Sequence, residues 1–183
     1  MRRKTIGTEV VEEVKQEQLQ EIQVACLRMA DGLYAVDIMR IKEIIRLPKL
    51  APLPRALPFV EGVINLRGSV IPVVDLRKRF GLPLCEHPET ARLLILSISG
   101  QQLGLVVDEV TEMITISLRD LKPPPRGVRA VGSEYLIGLA LVEEVPVLLL
   151  NIDSLLSFQE KAELGILGPD AGPTSPNKKS AAC

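Results

Sequence analysis

From residue 22 to residue 151 the sequence is a succession of short aliphatic runs broken by turn signals: IQVACLRM, LYAVDI, EIIRL, GVINL and SVIPVVD, then ARLLILSI, QLGLVV, EMITI, YLIGLALV and VPVLLLN. Runs this short, rich in Val and Ile and bounded by Gly, Asp, Asn or Ser, read as strands, because a helix needs a longer amphipathic stretch to bury one face. Hydrophobic residues make up 46% of the chain but aromatics only 3%, and there is no Trp. The core must therefore be built from Val, Ile and Leu, and β-branched side chains pack best on a pleated surface. Asp31-Gly32 and Arg67-Gly68 supply tight connections in which Gly takes a positive φ at no steric cost.

The second five runs echo the first five. Ala35 falls on Gly104, Ile41 on Val110, Glu43 on Glu112 and Ile45 on Ile114 at one constant spacing. Phe59 falls on Tyr135, Gly62 on Gly138 and Asp75 on Asn151 at a second, slightly longer one, the difference being a single loop. The chain thus reads as two copies of a five-stranded unit, and five short strands joined by hairpins close most simply into a small barrel that removes its own edges. The expected fold class is mainly β, with two five-stranded β-barrels in tandem and a few short helices. The expected boundaries are a flexible or weakly helical lead-in over 1–21, barrel one over 22–76, and a connecting helix and loop over 77–90. Barrel two follows over 91–152, then a C-terminal helix over 153–164 and a disordered tail over 165–183.

Helical signals are brief. Asp75 before LRKRF and Gly81 is an N-cap, a turn or two and a C-terminal Gly. A single turn after Ser117 would end at Pro123-Pro124-Pro125, which removes three backbone donors. Asn151 to Leu156 suits a short helix, and Ser157-Phe158-Gln159-Glu160 is a capping-box pattern that opens another, ending at Gly165.

Charge and composition exclude several function classes. Lys and Arg number 22 against 23 acidic residues, a net charge of -1, which provides no long-range pull toward phosphate backbones or anionic lipid. Tyr34, Phe59, Phe80, Tyr135 and Phe158 fall at packing positions rather than as stacking platforms in a basic groove. Arg77-Lys78-Arg79 reads as a solvated helix face. The cysteines, Cys26, Cys85 and Cys183, lack a CxxC spacing, so a disulfide framework and a structural zinc site are disfavoured and a reducing cytoplasm fits. MRRKTIGTEVVEEVKQEQ lacks the apolar run of a signal peptide, and no window has membrane length.

Reactive constellations are scarce. Cys85 and His87 lie two positions apart in an irregular loop, where they do not converge on one substrate atom and lack further metal ligands. Asp75 and Asp108 have structural roles available, at a helix cap and a strand end. No phosphate loop, dinucleotide fingerprint, nucleophile elbow or zincin motif occurs. The expectation is a non-enzyme without cofactor or metal; a barrel-type enzyme using the Cys85/His87 region is the alternative from a different class.

Arg67 stands out, in the tight connection NLRGS between two aliphatic runs, where strand alternation cannot tuck it inside. Physics alone leaves two even readings: a solvated turn arginine worth little, or a contact residue of the kind over-represented at interface centres. The run FVEGVINLRGSVIPVVDLRKRFGLP resembles the signature of the CheW family of chemotaxis coupling proteins. The resemblance extends from Ile22 through LYAVDIMRIKEII, LGLVVDEVTEMI, LKPPP and YLIGLALVEEVPVLLLNIDSLL, so that 22–164 is similar to one CheW-like domain.

That resemblance implies two SH3-like barrels. It also implies an adaptor joining the cytoplasmic tips of methyl-accepting chemotaxis receptors to the regulatory domain of the histidine kinase CheA. Its place would be the cytoplasm, recruited to membrane receptor arrays through protein partners, with no nucleic acid bound and no membrane insertion. A CheW-like scaffold of a non-flagellar chemosensory pathway is the alternative within this class. By the same resemblance Ile41, Glu43, Gly62 and Arg67 would contact the kinase, and Ile38, Arg67, Gly104, Val110 and Met113 the receptor. Finally, Arg67-Gly68 falls on Glu143-Glu144 in the repeat. The equivalent hairpins thus carry opposite charge, as head-to-tail contact with a partner of the same fold would favour.

Overall fold

The aliphatic runs become strands in the computed structural model, which describes residues 20–84, 89–124 and 133–166. The first copy supplies β1 (Glu21–Met29), β2 (Gly32–Asp37), β3 (Ile41–Arg46), β4 (Val60–Leu66) and β5 (Ser69–Asp75). The second supplies β6 (Arg92–Ile98), β7 (Gln101–Val107), β8 (Glu109–Ser117), β9 (Leu136–Val142) and β10 (Val145–Leu150). Among the described residues two short α-helices, α1 (Leu76–Phe80) and α2 (Phe158–Glu163), accompany them. The fold is mainly β and built of two five-stranded units, the number the repeat predicts, and SH3-like as the family resemblance implies.

The boundaries between the units are not the expected ones. One sheet runs β8-β1-β2-β10-β9 and the other β3-β6-β7-β5-β4. Each copy therefore lends its first two strands to the last three strands of the other, and neither 22–76 nor 91–152 is a barrel by itself. The physical reason lies in two parallel pairings that no hairpin can make. β10 runs parallel to β2, with Val147 on Leu33 and Leu149 on Ala35. β5 runs parallel to β7, with Val73 on Gly104 and Asp75 on Val106. The chain crosses between sheets at the 3-10 turn Ile38–Arg40 and again at Asp108, between β7 and β8. The repeat itself is intact, since Val73 on Gly104 corresponds under it to Leu149 on Ala35.

Strand exchange explains why the runs are continuously apolar instead of alternating. On β6, Leu93 and Ile95 fill the interior of the second sheet with Ile64, Ile71, Val73 and Val106. Leu94, Leu96 and Ile98 face the other way, into a cluster between the sheets that also holds Leu27, Val36, Val60, Leu105 and Leu150. Val24, Cys26, Ala35, Ile116, Ala140, Val147 and Leu149 fill the first sheet. Each fully buried Leu contributes about 1.5–3 kcal/mol relative to exposure, so the largest single block of stabilisation joins the sheets.

The helices follow their caps. The Asp75 carboxylate accepts the Arg77 N–H at 2.9 Å, and Gly81 ends α1 at φ 67°. Glu160 donates its N–H to the Ser157 hydroxyl at 3.2 Å, while Ser157 donates its own to the Glu160 carboxylate at 2.7 Å. This capping box opens α2, and Gly165 follows it at φ 67°. The helix expected over 153–164 is thus a 3-10 turn, Ile152–Ser154, followed by α2. The lead-in up to Leu19 and the tail beyond Ile166 lie outside the described residues.

Candidate partner-binding surface

The β4–β5 hairpin closes through Arg67 at φ 52° and Gly68 at φ 86°, the two left-handed positions of a type I′ turn, whose twist matches that of the flanking strands. Asn65 Oδ1 accepts the Gly68 N–H at 3.0 Å and stiffens the turn. Arg67 extends from this base with its side chain 78% exposed, and its Nη2 meets Glu43 Oε1 at 3.2 Å. Such an exposed pair adds about 0–1 kcal/mol, so it orients the guanidinium more than it stabilises the fold. It also spans the seam between β3 and β4, the first and last strands of their sheet. Ile41 is half-buried at the start of β3 and packs on the cluster between the sheets.

Gly62 is buried. Its φ is 144°, and a Cβ there would lie 2.2 Å from the Ala51 carbonyl oxygen. Ala51 and Val63 exchange backbone hydrogen bonds of 2.9 and 2.8 Å, which lay the connecting segment across β4. Gly62 thus shapes the surface beside Arg67. Gly62→Ala should shift the urea-unfolding midpoint by the equivalent of about 1–3 kcal/mol, the usual cost of a strained backbone position; an unchanged midpoint would contradict this close approach.

The residues linked to receptor contact divide in the same way. Met113 on β8 is 64% exposed, and Ile38 and Val110 are half-buried beside the two chain crossings. Gly104 is interior: a Cβ would meet Leu93 Cδ1 at 3.0 Å and Val73 Cγ2 at 3.2 Å, so it permits the parallel approach of β7 to β5 and presents nothing outward. Met39, overlooked in the sequence, is 82% exposed next to Ile38, with its N–H held by the Asp37 carboxylate at 2.9 Å. Its signal was DIMRI, where an apolar residue breaks strand alternation beside a capping Asp.

The basic run on α1 is not a solvated face. Arg77 lies between two buried carboxylates, donating Nε to Asp75 Oδ1 at 2.9 Å, Nη2 to Asp75 Oδ2 at 2.5 Å and Nη1 to Asp108 Oδ1 at 2.9 Å. Hydrogen bonding to Asp75, opposed by burial and reinforced by Asp108, holds its proton more tightly than in an ordinary arginine. Asp108 Oδ2 accepts the Ala30 N–H at 2.7 Å, so the triad ties the end of β5 to a chain crossing and to the β1–β2 turn. Arg79 forks onto Glu160 at 2.8 and 3.0 Å and stacks on Phe59 at 4.4 Å and Tyr135 at 5.2 Å. Burial opposes ionisation of Glu160, but the Ser157 N–H and the Arg79 guanidinium outweigh it and keep this carboxyl below its ordinary range. Lys78 pairs with Glu61. Two acids in otherwise aliphatic runs, VVDL and VVDE, were the available hint that a cation had to be buried near them.

Asp75 and Asp108 are therefore structural, as expected. Cys26 is buried, and desolvation, with the nearby Glu112 charge, pushes its thiol further from ionisation; a thiolate nucleophile is disfavoured there. Cys85 and His87 lie outside the described residues.

The CheW-like domain family model matches residues 23–160. The chemotaxis protein CheW of Treponema pallidum (strain Nichols) is 31% identical over 152 residues, covering 81% of this chain and 89% of that protein. The chemotaxis protein CheW of Rhizobium meliloti (strain 1021) is 31% identical over 134 residues, covering 73% and 86%. Among solved structures, the scaffolding protein TtCheW from Thermoanaerobacter tengcongensis superposes with a TM-score of 0.71 at 31% identity, covering 76% of this chain and 90% of that one.

Proposed function

This chain belongs to the CheW-like domain family of chemotaxis scaffolds, and we propose that it couples methyl-accepting chemoreceptors to the regulatory domain of the histidine kinase CheA. The observation that carries this reading is Arg67, held on a stiff two-residue turn and aimed into solvent. A planar fork of donors on a preorganised base suits recognition, since little side-chain freedom is lost when a partner arrives.

In this reading Arg67, Glu43 and Ile41 form the kinase-facing surface, with Gly62 setting its shape. Ile38, Val110 and Met113, joined by Met39, form the receptor-facing surface at the two chain crossings. Unbranched Met side chains adapt to an apolar partner, and such a surface accepts the apolar face of an amphipathic helix by ordinary burial. The protein works in the cytoplasm by bringing its partners together, and the chemistry belongs to the kinase.

Reconstitution tests the reading. Receptor cytoplasmic fragments and kinase are mixed with and without this chain, and phosphorylation is followed. Kinase activity should become receptor-dependent only when the chain is present. Identical activity in both mixtures, with no kinase recruited to receptor, would reject the coupling role.

A further inference from the structure

The thioethers of the described residues are unevenly placed. Met29 is fully buried in the cluster between the sheets, whereas Met39 and Met113 are 82% and 64% exposed. Both exposed methionines lie beside the same stretch of β1. Met113 on β8 faces Ala25, and Ala25 faces Val36 on β2 from its other side. β2 then ends at Asp37 and runs into the turn Ile38–Arg40, which carries Met39 and packs beside β1.

Their repeat equivalents carry no sulfur. Met39 corresponds to Asp108 and Met113 to Ile44. Asp108 is buried in its ion-paired triad, and Ile44 packs on the cluster between the sheets. Among the described residues, exposed thioethers are therefore confined to one of the two chain crossings. The turn beneath Met39 is also pinned at both ends. The Asp37 carboxylate accepts the Met39 N–H at 2.9 Å, and Arg40 is ion-paired with Asp153 on the 3-10 turn Ile152–Ser154. Met113 stands opposite Ala25, whose single methyl group offers the longer side chain little cover.

We propose that Met39 and Met113 form a paired oxidation site through which hydrogen peroxide weakens receptor binding. The thioether sulfur attacks the peroxide, and an S–O bond forms as the O–O bond breaks. Sulfur is oxidised to the sulfoxide and the peroxide is reduced to water, the leaving hydroxide taking up the proton of the transferred hydroxyl. A flexible apolar side chain thereby becomes a polar one. Burying the new oxygen against the apolar face of a helix, without a hydrogen-bond partner, opposes association. The surface at Arg67, Glu43 and Ile41 contains no sulfur and keeps its contacts. Selective oxidation stands on exposure, while its effect on receptor binding rests on the coupling role proposed above.

Peptide mass spectrometry of the full chain after graded hydrogen peroxide, with dithiothreitol added afterwards to reverse thiol oxidation, tests the first half. Met39 and Met113 should each gain one oxygen about tenfold or more faster than Met29. Binding of the same samples to receptor cytoplasmic fragments and to kinase tests the second. Receptor affinity should fall about tenfold or more while kinase affinity stays level, and methionine sulfoxide reductases of both stereospecificities should restore it. Met39→Leu/Met113→Leu, compared with itself before treatment, should lose no receptor affinity in peroxide. Met39→Gln/Met113→Gln should bind receptor about as weakly as the oxidised chain. Equal oxidation rates at all three methionines would overturn the proposal. So would undiminished receptor affinity with both sulfoxides present, or peroxide sensitivity that persists in the Leu variant. An untreated chain that binds no receptor fragment would refute the coupling role and with it the binding effect, while the oxidation rates still decide whether the site exists.

Discussion

Arg77→Met should be the most damaging single substitution outside the apolar core, lowering stability by about 3–5 kcal/mol, the range for breaking a buried ion pair from one side. The side chains of Asp75, Arg77 and Asp108 are only 3%, 11% and 8% exposed. Removing the guanidinium leaves two carboxylates facing each other with little water to solvate them. The damage also spreads, because Asp75 starts α1 and Asp108 holds the Ala30 N–H. Arg77→Lys should be intermediate, since it restores charge but cannot fork onto both acids. Urea titration measures the difference. A shift below about 1 kcal/mol would mean the triad is solvated and mechanically idle.

Arg67→Glu should leave the urea midpoint nearly unchanged while weakening kinase binding about 30-fold or more, the effect of losing an interface hot spot worth about 2 kcal/mol. The contrast with Arg77 is one of burial: the Arg67 guanidinium is mostly in water and its partner Glu43 is half-exposed. Exchanging the pair, as Arg67→Glu with Glu43→Arg, rebuilds the intramolecular contact with its sign reversed. If binding returns with that exchange, the pair merely shapes the hairpin; continued loss is expected if the guanidinium itself touches the partner. The opposite hairpin offers a companion measurement, because Glu143 and Glu144 adopt the same left-handed turn at φ 48° and 67°. Should neither Arg67→Glu nor Glu143→Arg change kinase affinity or its salt dependence, the opposed charges of the two hairpins play no part in orienting the scaffold.

The strands, their duplication and the caps of both helices were legible because each rests on local signals: run length, spacing of equivalent residues, and an Asp or Ser ahead of a short helix. The pairing of the strands was not. Whether β2 continues beside β3 or departs to meet β10 depends on contacts far apart in the chain, and the apolar pattern of β2 suits either sheet. Glycines were ambiguous for a similar reason. Gly68 was readable from its place after Arg67 between two runs. Gly62 and Gly104 sit inside strands, where a missing side chain can signal an approaching partner or approaching chain; Gly104 makes room for the neighbouring strands and Gly62 for the connecting segment at Ala51 and Pro52. The RKR run misled because local charge density suggested solvent, whereas the decisive acid, Asp108, lies in the other copy.

Because the polypeptide passes between the sheets at residues 38–40 and at 108, and the largest apolar cluster lies between them, the molecule is a yoke and not two beads on a string. A push on the Arg67 tip is carried by continuous backbone into the body that bears Glu143. The two hairpin tips are thereby held at a set separation and angle by one shared apolar body.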